Sequence, residues 1–302
     1  MSLLYDRKNK TVTEITQYGG GMMQAAYHGR YSRFLLPVVT SRLYTRLWGW
    51  WQCTPFSCNK IPAFVEQYHV NMADYEQQVF HNFDEFFIRP IREGARPMNI
   101  DPDRLIAPAD SKLLVYPVKE DMHLTVKGLD YALEELTGSR RFAKEFAGGQ
   151  CLVFRLTMDD YHHYCFPADG WQRMRHTIPG RLHTVSPYSA EKKVYQENYR
   201  VVNLLETKHF GKILMIEVGA LFAGRIINYP VRCFRKGEEK GYFRLGGSTI
   251  LMLLQKDAVR LDEDILEYTD KGIEVKLRYR EDIGTVIRKK SVVVPMKRRN
   301  HR

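Results

Sequence analysis

The apolar positions of this 302-residue chain change their spacing about a third of the way along. Over residues 31–52, YSRFLLPVVTSRLYTRLWGWWQ, the side chains Phe34, Leu35, Val38, Val39, Leu43, Leu47 and Trp50 recur near helical spacing, with Arg42 and Arg46 on the opposite side. This pattern predicts an amphipathic helix bent at Pro37. Residues 61–81, carrying Phe64, Val65, Tyr68, Val70, Met72, Tyr75 and Val79, read as a second helix, and DEFFIRPIREGARP (84–97) closes the region with turn signals at Gly94 and Pro97. From about residue 104 the apolar runs become short and β-rich, separated by Gly, Pro, Asp and Asn: LLVYPV (113–118), CLVFRL (151–156), KILMIEV (212–218), GRIINYPV (224–231), STILMLL (248–254) and IEVKLRY (273–279). A short helix over 131–139, or its continuation through Phe142 to Phe146, interrupts them. The expected class is α+β, with N-terminal amphipathic helices followed by a mostly antiparallel β-sandwich domain that would carry any catalysis. The boundaries expected are 1–97 for a helical, membrane-facing region, 98–287 for the β-rich domain and 288–302 for a basic tail.

Composition adds a charge asymmetry. With 44% hydrophobic and 27% charged residues the chain is of ordinary globular make-up, which excludes disorder and fibrous structure. Its formal net charge is +11, and seven of its basic residues (Arg288, Lys289, Lys290, Lys297, Arg298, Arg299 and Arg302) fall in the last fifteen positions with no acid among them. Such a tail is a solvated terminus, a contact for anionic lipid or a contact for nucleic acid. The last has no support from any zinc-finger spacing or RNA-recognition motif. Trp48, Trp50 and Trp51 near two arginines suit a membrane interface, or else a helix packed on its own domain with an aromatic cluster at its end. No charge-free apolar stretch is long enough to span a bilayer, and a start charged from residue 6 onward argues against a cleaved signal peptide. Five cysteines, an odd number, are expected to be reduced; Cys53 and Cys58 lack the second pair that a zinc site needs, and no metal is expected.

Three segments hold the unusual residues: PADS (108–111), DDYHHYCFPADG (159–170) and KGYFRLGGSTILMLL (240–254). Each alone is a turn, a core histidine or the start of a strand. Together they offer a nucleophilic Ser248 after two glycines, a histidine able to move a proton and an aspartate able to orient it. The serine-hydrolase elbow G-x-S-x-G fails, because Thr249, Ile250 and Leu251 follow Ser248 and none of them is the trailing glycine. The remaining chemistry is attack of the hydroxyl on its own preceding carbonyl, which a glycine at 247 leaves unshielded. Elimination of the resulting ester would convert Ser248 into a pyruvoyl group. The cut between Gly247 and Ser248 would give fragments of 247 and 55 residues from the 302.

These residues resemble the phosphatidylserine decarboxylase family. FDEFFIRPIREGARP (83–97), PADS, DYHHYCFPADG (160–170), ENYRVVNLLET (197–207), IEVGALFAGRI (216–226) and KGEEKGYFRLGGST (236–249) are similar to family motifs in the same order. The long N-terminal extension and LDEDIL (261–266) look most like the bacterial branch. The resemblance implies pyruvoyl-dependent decarboxylation of phosphatidylserine to phosphatidylethanolamine, by a carbonyl that captures the substrate amine and draws electrons from the bond to the departing carboxylate. By motif position Ser248 is the pyruvoyl precursor, Asp110 the charge-relay acid and His162 the first histidine of the family's DYHxxH. It further implies a heterodimer of the chain's own two fragments, placed peripherally at the cytoplasmic face of the cell membrane, with an anionic lipid surface as partner and no nucleic acid.

The chain departs from the family at the second histidine of DYHxxH, which here is Cys165. A thiol of ordinary pKa, about 8.5, is mostly protonated at neutral pH and is a poor base for Ser248. Three readings of this departure stand: His162 or His163 takes the base role; Cys165 serves as base through a depressed pKa; or the chain is a non-processing relative that binds phospholipid without turning it over. A pyruvoyl enzyme acting on a soluble amino acid fits the Gly-Ser chemistry but not the aromatic N-terminal helix. PADS also places a side chain at Ser111 where the family has glycine, and the family's VGS reads AGR at 223–225, so that Arg225 meets a lipid phosphate or faces solvent.

Overall fold

The computed structural model describes residues 2–15, 27–185, 192–221, 225–245 and 248–288; Ala223, Gly224, Gly246, Gly247 and the tail beyond Arg288 lie outside these. The architecture is mixed α+β with mostly antiparallel sheets. Ten strands form the main sheet in the order β13 (Cys233–Phe234), β9 (Gly170–Ile178), β10 (Arg200–Thr207), β11 (Lys212–Val218), β15 (Ser248–Leu254), β7 (Gln150–Leu156), β4 (Ser111–Pro117), β17 (Glu274–Leu277), β1 (Ser2–Asp6) and β2 (Thr11–Ile15). Among its described strand pairs only β1–β17 runs parallel. Two three-stranded sheets, β12 (Arg225–Asn228) with β14 (Glu239–Arg244) and β8 (His163–Cys165), and β16 (Val259–Leu261) with β18 (Asp282–Val286) and β3 (Arg104–Ile106), accompany it, together with the two-stranded β5 (His123–Val126) and β6 (Leu129–Ala132).

Alternation along β15 explains why its sequence reads as an unbroken apolar run. Ile250, Met252 and Leu254 enter a core with Tyr164, Phe243, Leu105 and Ile283 of the two small sheets, while Leu251 and Leu253 enter a second core on the opposite face. That second core is closed by helices α5 (Leu133–Thr137) and α6 (Arg140–Phe146), through Leu133, Leu136, Ala143 and Phe146. The predicted single helix over this stretch is divided, because Gly138 takes a left-handed φ of +69° and ends the first piece. At β14, Gly241 is required by close approach: a Cβ there would lie 1.9 Å from the Ile227 carbonyl oxygen of β12.

The front of the chain differs from the expected helical region 1–97. Residues 2–15 are strands that extend the main sheet. The helix predicted over 31–52 is two, Ser32–Val39 and Arg42–Gln52, and the break falls at Ser41 rather than at Pro37, which lies inside the first. Here the Thr40 carbonyl accepts from Leu182 N–H at 3.1 Å, and the Ser41 hydroxyl caps the next helix by accepting from Tyr44 N–H at 3.2 Å. The helix predicted over 61–81 stops at Gln67, and His69 adopts a left-handed φ of +49°. We call the helices of this region α1 (Ser32–Val39), α2 (Arg42–Gln52), α3 (Ile61–Gln67) and α4 (Phe83–Phe87); no helix among the described residues is long and apolar enough to cross a membrane.

Helix α4 is short and strongly fixed. Asn82 accepts from Glu85 N–H at 2.9 Å, and the Glu85 carboxylate accepts from His81 N–H at 2.8 Å, a reciprocal cap. Phe83, Phe86 and Phe87 are thereby buried with Phe64 and Leu245. Phe87 lies against the ring of His162, centroids 4.2 Å apart.

Candidate active site

Ser248 opens β15 and stands opposite Leu156 of β7. Its side chain is fully buried, and Oγ has no hydrogen-bond partner among the described residues; Thr249 Oγ1 beside it is in the same condition. A buried hydroxyl without a partner is costly, by roughly 1–3 kcal/mol, and is a group for which a chemical use is expected. Three residues upstream, Leu245 holds a φ of +50°, a left-handed conformation strained for a branched residue.

The two histidines of DYHHYC have opposite environments. His162 is buried, its Nδ1 lies 2.9 Å from the Asp160 carbonyl oxygen, and its Nε2 has no partner among the described residues. A carbonyl only accepts, so Nδ1 carries the proton and Nε2 keeps a lone pair. Burial, reinforced by the charge of Arg89, lowers the His162 pKa to about 3, which keeps the ring neutral. His163 sits between Tyr161 and Tyr242, with Nδ1 2.7 Å from Glu239 Oε1 and Nε2 3.0 Å from the Ile88 carbonyl oxygen. Both of its nitrogens face acceptors. Of the two, His162 alone has a ring nitrogen without a hydrogen-bond partner among the described residues.

The turn that orients His162 is itself anchored. Lys112 Nζ donates to both oxygens of Asp160 at 2.7 and 2.6 Å, and Thr157 N–H donates to the same carboxylate at 2.7 Å. Neither Lys112 nor Asp160 was marked by sequence reasoning, although Asp160 lies inside a marked segment and Lys112 directly follows another. His162 reaches the Ser248 neighbourhood through β14: its carbonyl accepts from Phe243 N–H at 3.0 Å, and the Phe87 ring on its face shares a cluster with Leu245.

Asp110 and Cys165 form a second group. Asp110 receives a two-pronged contact from Arg96, at 3.2 and 2.9 Å, and the Tyr279 amide at 2.5 Å. Arg96, in the GARP run, also reaches Asp74 at 2.7 Å; burial opposes its charge, but these carboxylates more than offset that and raise its pKa. Cys165 donates its amide to the Pro108 carbonyl at 2.9 Å, which sets it beside the PADS turn, and burial pushes its thiol up to about 12. That shift is opposite to the one a catalytic thiolate requires. Asp110 is held by Arg96 and His162 is oriented by a backbone carbonyl; among the described residues no hydrogen bond joins Asp110 to an imidazole. The register puts the two groups at one end of the sheet. Ser248 faces Leu156 of β7, and the neighbouring Arg155 faces Lys112 of β4, leaving Ser248 and the PADS turn two strand spacings apart, about 10 Å.

All five cysteines are free, and among the described residues no group of three or more His, Cys, Asp or Glu side chains is placed to hold a metal ion. A cavity of about 660 Å³ lies between α2 and the β12–β14 pair, with Leu245 on its wall.

Comparison with known proteins bears on the whole of this arrangement. Residues 83–285 match the family described as phosphatidylserine decarboxylase. The chain is 42% identical over 283 residues to phosphatidylserine decarboxylase proenzyme 2 of Clostridium acetobutylicum, covering 93% of this chain and 97% of the relative. It is 37% identical over 260 residues to the phosphatidylserine decarboxylase proenzyme of Clostridium novyi, covering 83% and 88% respectively. To the proenzyme of that name from Desulfitobacterium hafniense strain Y51 it is 35% identical over 288 residues, covering 93% and 97%.

Proposed function

The chain belongs to the phosphatidylserine decarboxylase family of carboxy-lyases, and on that premise we propose that it decarboxylates phosphatidylserine to phosphatidylethanolamine after cutting itself between Gly247 and Ser248. The observation that carries this reading is the buried, unpartnered Ser248 hydroxyl at the end of the sheet where a neutral His162 keeps an unpartnered Nε2. In the maturation step the Ser248 hydroxyl gives up its proton and attacks the carbonyl carbon of residue 247, and the amide C–N bond breaks as the ester forms. Removal of the Ser248 α-proton then expels the residue 247 carboxylate. The dehydroalanine left at position 248 takes up water and releases ammonia, which yields the pyruvoyl group. His162 Nε2 is the proton acceptor for the attack, with Asp160 and Lys112 fixing the turn behind it. Once formed, the pyruvoyl carbonyl supplies the electron sink for loss of carbon dioxide.

Two further features support the reading. Strand β15 lies between β7 and β11, and β17 lies between β4 and β1, so the smaller fragment is laced into the sheet and the cut chain is a heterodimer of its own pieces. On α1, α2 and the turn after them Phe34 (74% exposed), Leu43, Leu47, Trp50 (71%) and Phe56 (80%) are unburied, and with the net charge of +11 they suit peripheral attachment to an anionic bilayer at its cytoplasmic face. The packing of the main sheet on the β8 and β18 sheets, through one shared core, is read as the family's sandwich.

A non-processing, lipid-binding relative is the second reading, favoured by the raised thiol of Cys165. Denaturing electrophoresis and intact mass of the purified protein decide between the two. The enzyme runs as fragments of 247 and 55 residues, Ser248→Ala runs whole, and vesicles containing phosphatidylserine gain phosphatidylethanolamine only with the cut protein. A wild-type chain that stays whole overturns the proposal.

A further inference from the structure

We propose that the cavity between α2 and the β12–β14 pair binds the phosphodiester of a glycerophospholipid headgroup on Arg225 and Arg46. The inference deepens the functional reading above and rests on it for the identity of the lipid as substrate. Its starting point is a charge imbalance. Arg225 and Arg244 are directly opposite one another in the β12–β14 register, an arrangement in which like charges repel. Asp84 of α4 pairs with Arg244, which donates to it through Nε at 3.2 Å and also approaches Cys53 Sγ at 3.8 Å. Among the described residues no acid answers Arg225, and Arg46, which enters the same cavity from α2, has no hydrogen bond or ion pair. Three guanidinium groups around one carboxylate leave two positive charges facing one space, and guanidinium is the side-chain group that best matches a phosphate by paired N–H donors.

The rest of the wall indicates a lipid rather than a free anion. Trp50, Leu182 and Leu245 give it apolar surface. Trp50 is at once a lining residue and largely exposed, so it joins the cavity to the unburied apolar face of α2. Leu245, three residues before Ser248, also lines the cavity. A phosphodiester seated between Arg225 and Arg46 therefore has its acyl side toward the aromatic helix and its amine side toward the start of β15. Arg225 occupies the place of the serine in the VGS motif of the resembled family, so it adds a guanidinium where that motif has a hydroxyl.

Titration calorimetry on the uncut Ser248→Ala protein tests the site without any need for turnover, with dihexanoyl phosphatidylserine as the probe. Arg225→Ser is expected to weaken binding at least tenfold. Gly49→Leu is expected to do the same by a different route: Gly49 lines the cavity, a Cβ there meets nothing within 4 Å, and the larger side chain fills the space without a clash at its root. Inorganic phosphate and glycerophosphoserine are expected to bind at least tenfold more weakly than the lipid. The inference is overturned if the parent protein does not bind the lipid, if both variants melt like the parent and bind within twofold of it, or if free phosphate binds as well as the lipid. Arginine-dependent binding beside a wild-type protein that never forms phosphatidylethanolamine would retain the lipid site and overturn the functional reading instead.

Discussion

Between His162 and Cys165, three positions apart in one segment, burial acts in opposite senses on the chemistry. It holds the imidazole neutral with a pKa lowered to about 3, and holds the thiol neutral by raising it to about 12. The two candidate bases therefore differ in the pH profile of self-cleavage. With His162 as base the rate is flat from pH 5 to 8, because the folded ring titrates only near 3; with a Cys165 thiolate it climbs about tenfold per pH unit throughout, and following the cut by gel over that range distinguishes them. The same shift acts on stability. A folded pKa below the unfolded 6.5 means that the unfolded chain binds the extra proton, so this contribution is whole above pH 6.5 and is lost at up to about 1.4 kcal/mol per pH unit as the pH falls toward 3. Cys165→His should cleave as fast as wild type or faster, since it supplies a second lone pair beside the PADS turn. Its expected cost is about 1–3 kcal/mol of stability, from overfilling a fully buried site against Tyr161 and Tyr279. A variant that melts cooperatively yet stays whole would remove the imidazole argument.

Secondary structure was legible wherever burial on both faces wrote a continuous apolar run: 113–118, 151–156, 212–218 and 248–254 all lie in or along strands of the main sheet. It was not legible in β9, whose Gln172, Met174, His176 and Ile178 alternate with more exposed Trp171, Arg173, Arg175 and Thr177 at the sheet's wet margin, nor in the β1–β2 pair, which joins the sheet through β17 at the far end of the chain. Helix ends were misjudged for a related reason, since Thr40 and His69 end their helices through a distant amide and a left-handed turn that periodicity does not record. In the site, Ser248 and His162 were legible from residue type and spacing. The hold of Arg96 on Asp110 and of Lys112 on Asp160 was not, because each joins segments with no sequence relation. Helix α4 shows how much such local devices carry. Asn82→Ala removes one half of its reciprocal cap and should cost about 1 kcal/mol in urea unfolding; an unchanged midpoint would show that the buried phenylalanines suffice alone.

At the scale of the whole molecule β1 has one of its two partners some 270 residues further along the polypeptide. Leu4, Tyr5 and Asp6 of β1 pair with Glu274, Val275 and Lys276 of β17, and Arg7 next to them binds Asp262, Asp264 and Glu281. During translation β1 has only β2 to pair with and must wait for β17 until almost the entire chain has left the ribosome, and β15 enters its slot between β7 and β11 only shortly before that. Completion of synthesis then sets the clock for maturation: pulse-labelled nascent chains should be found uncut while tethered, with the two fragments emerging only after release.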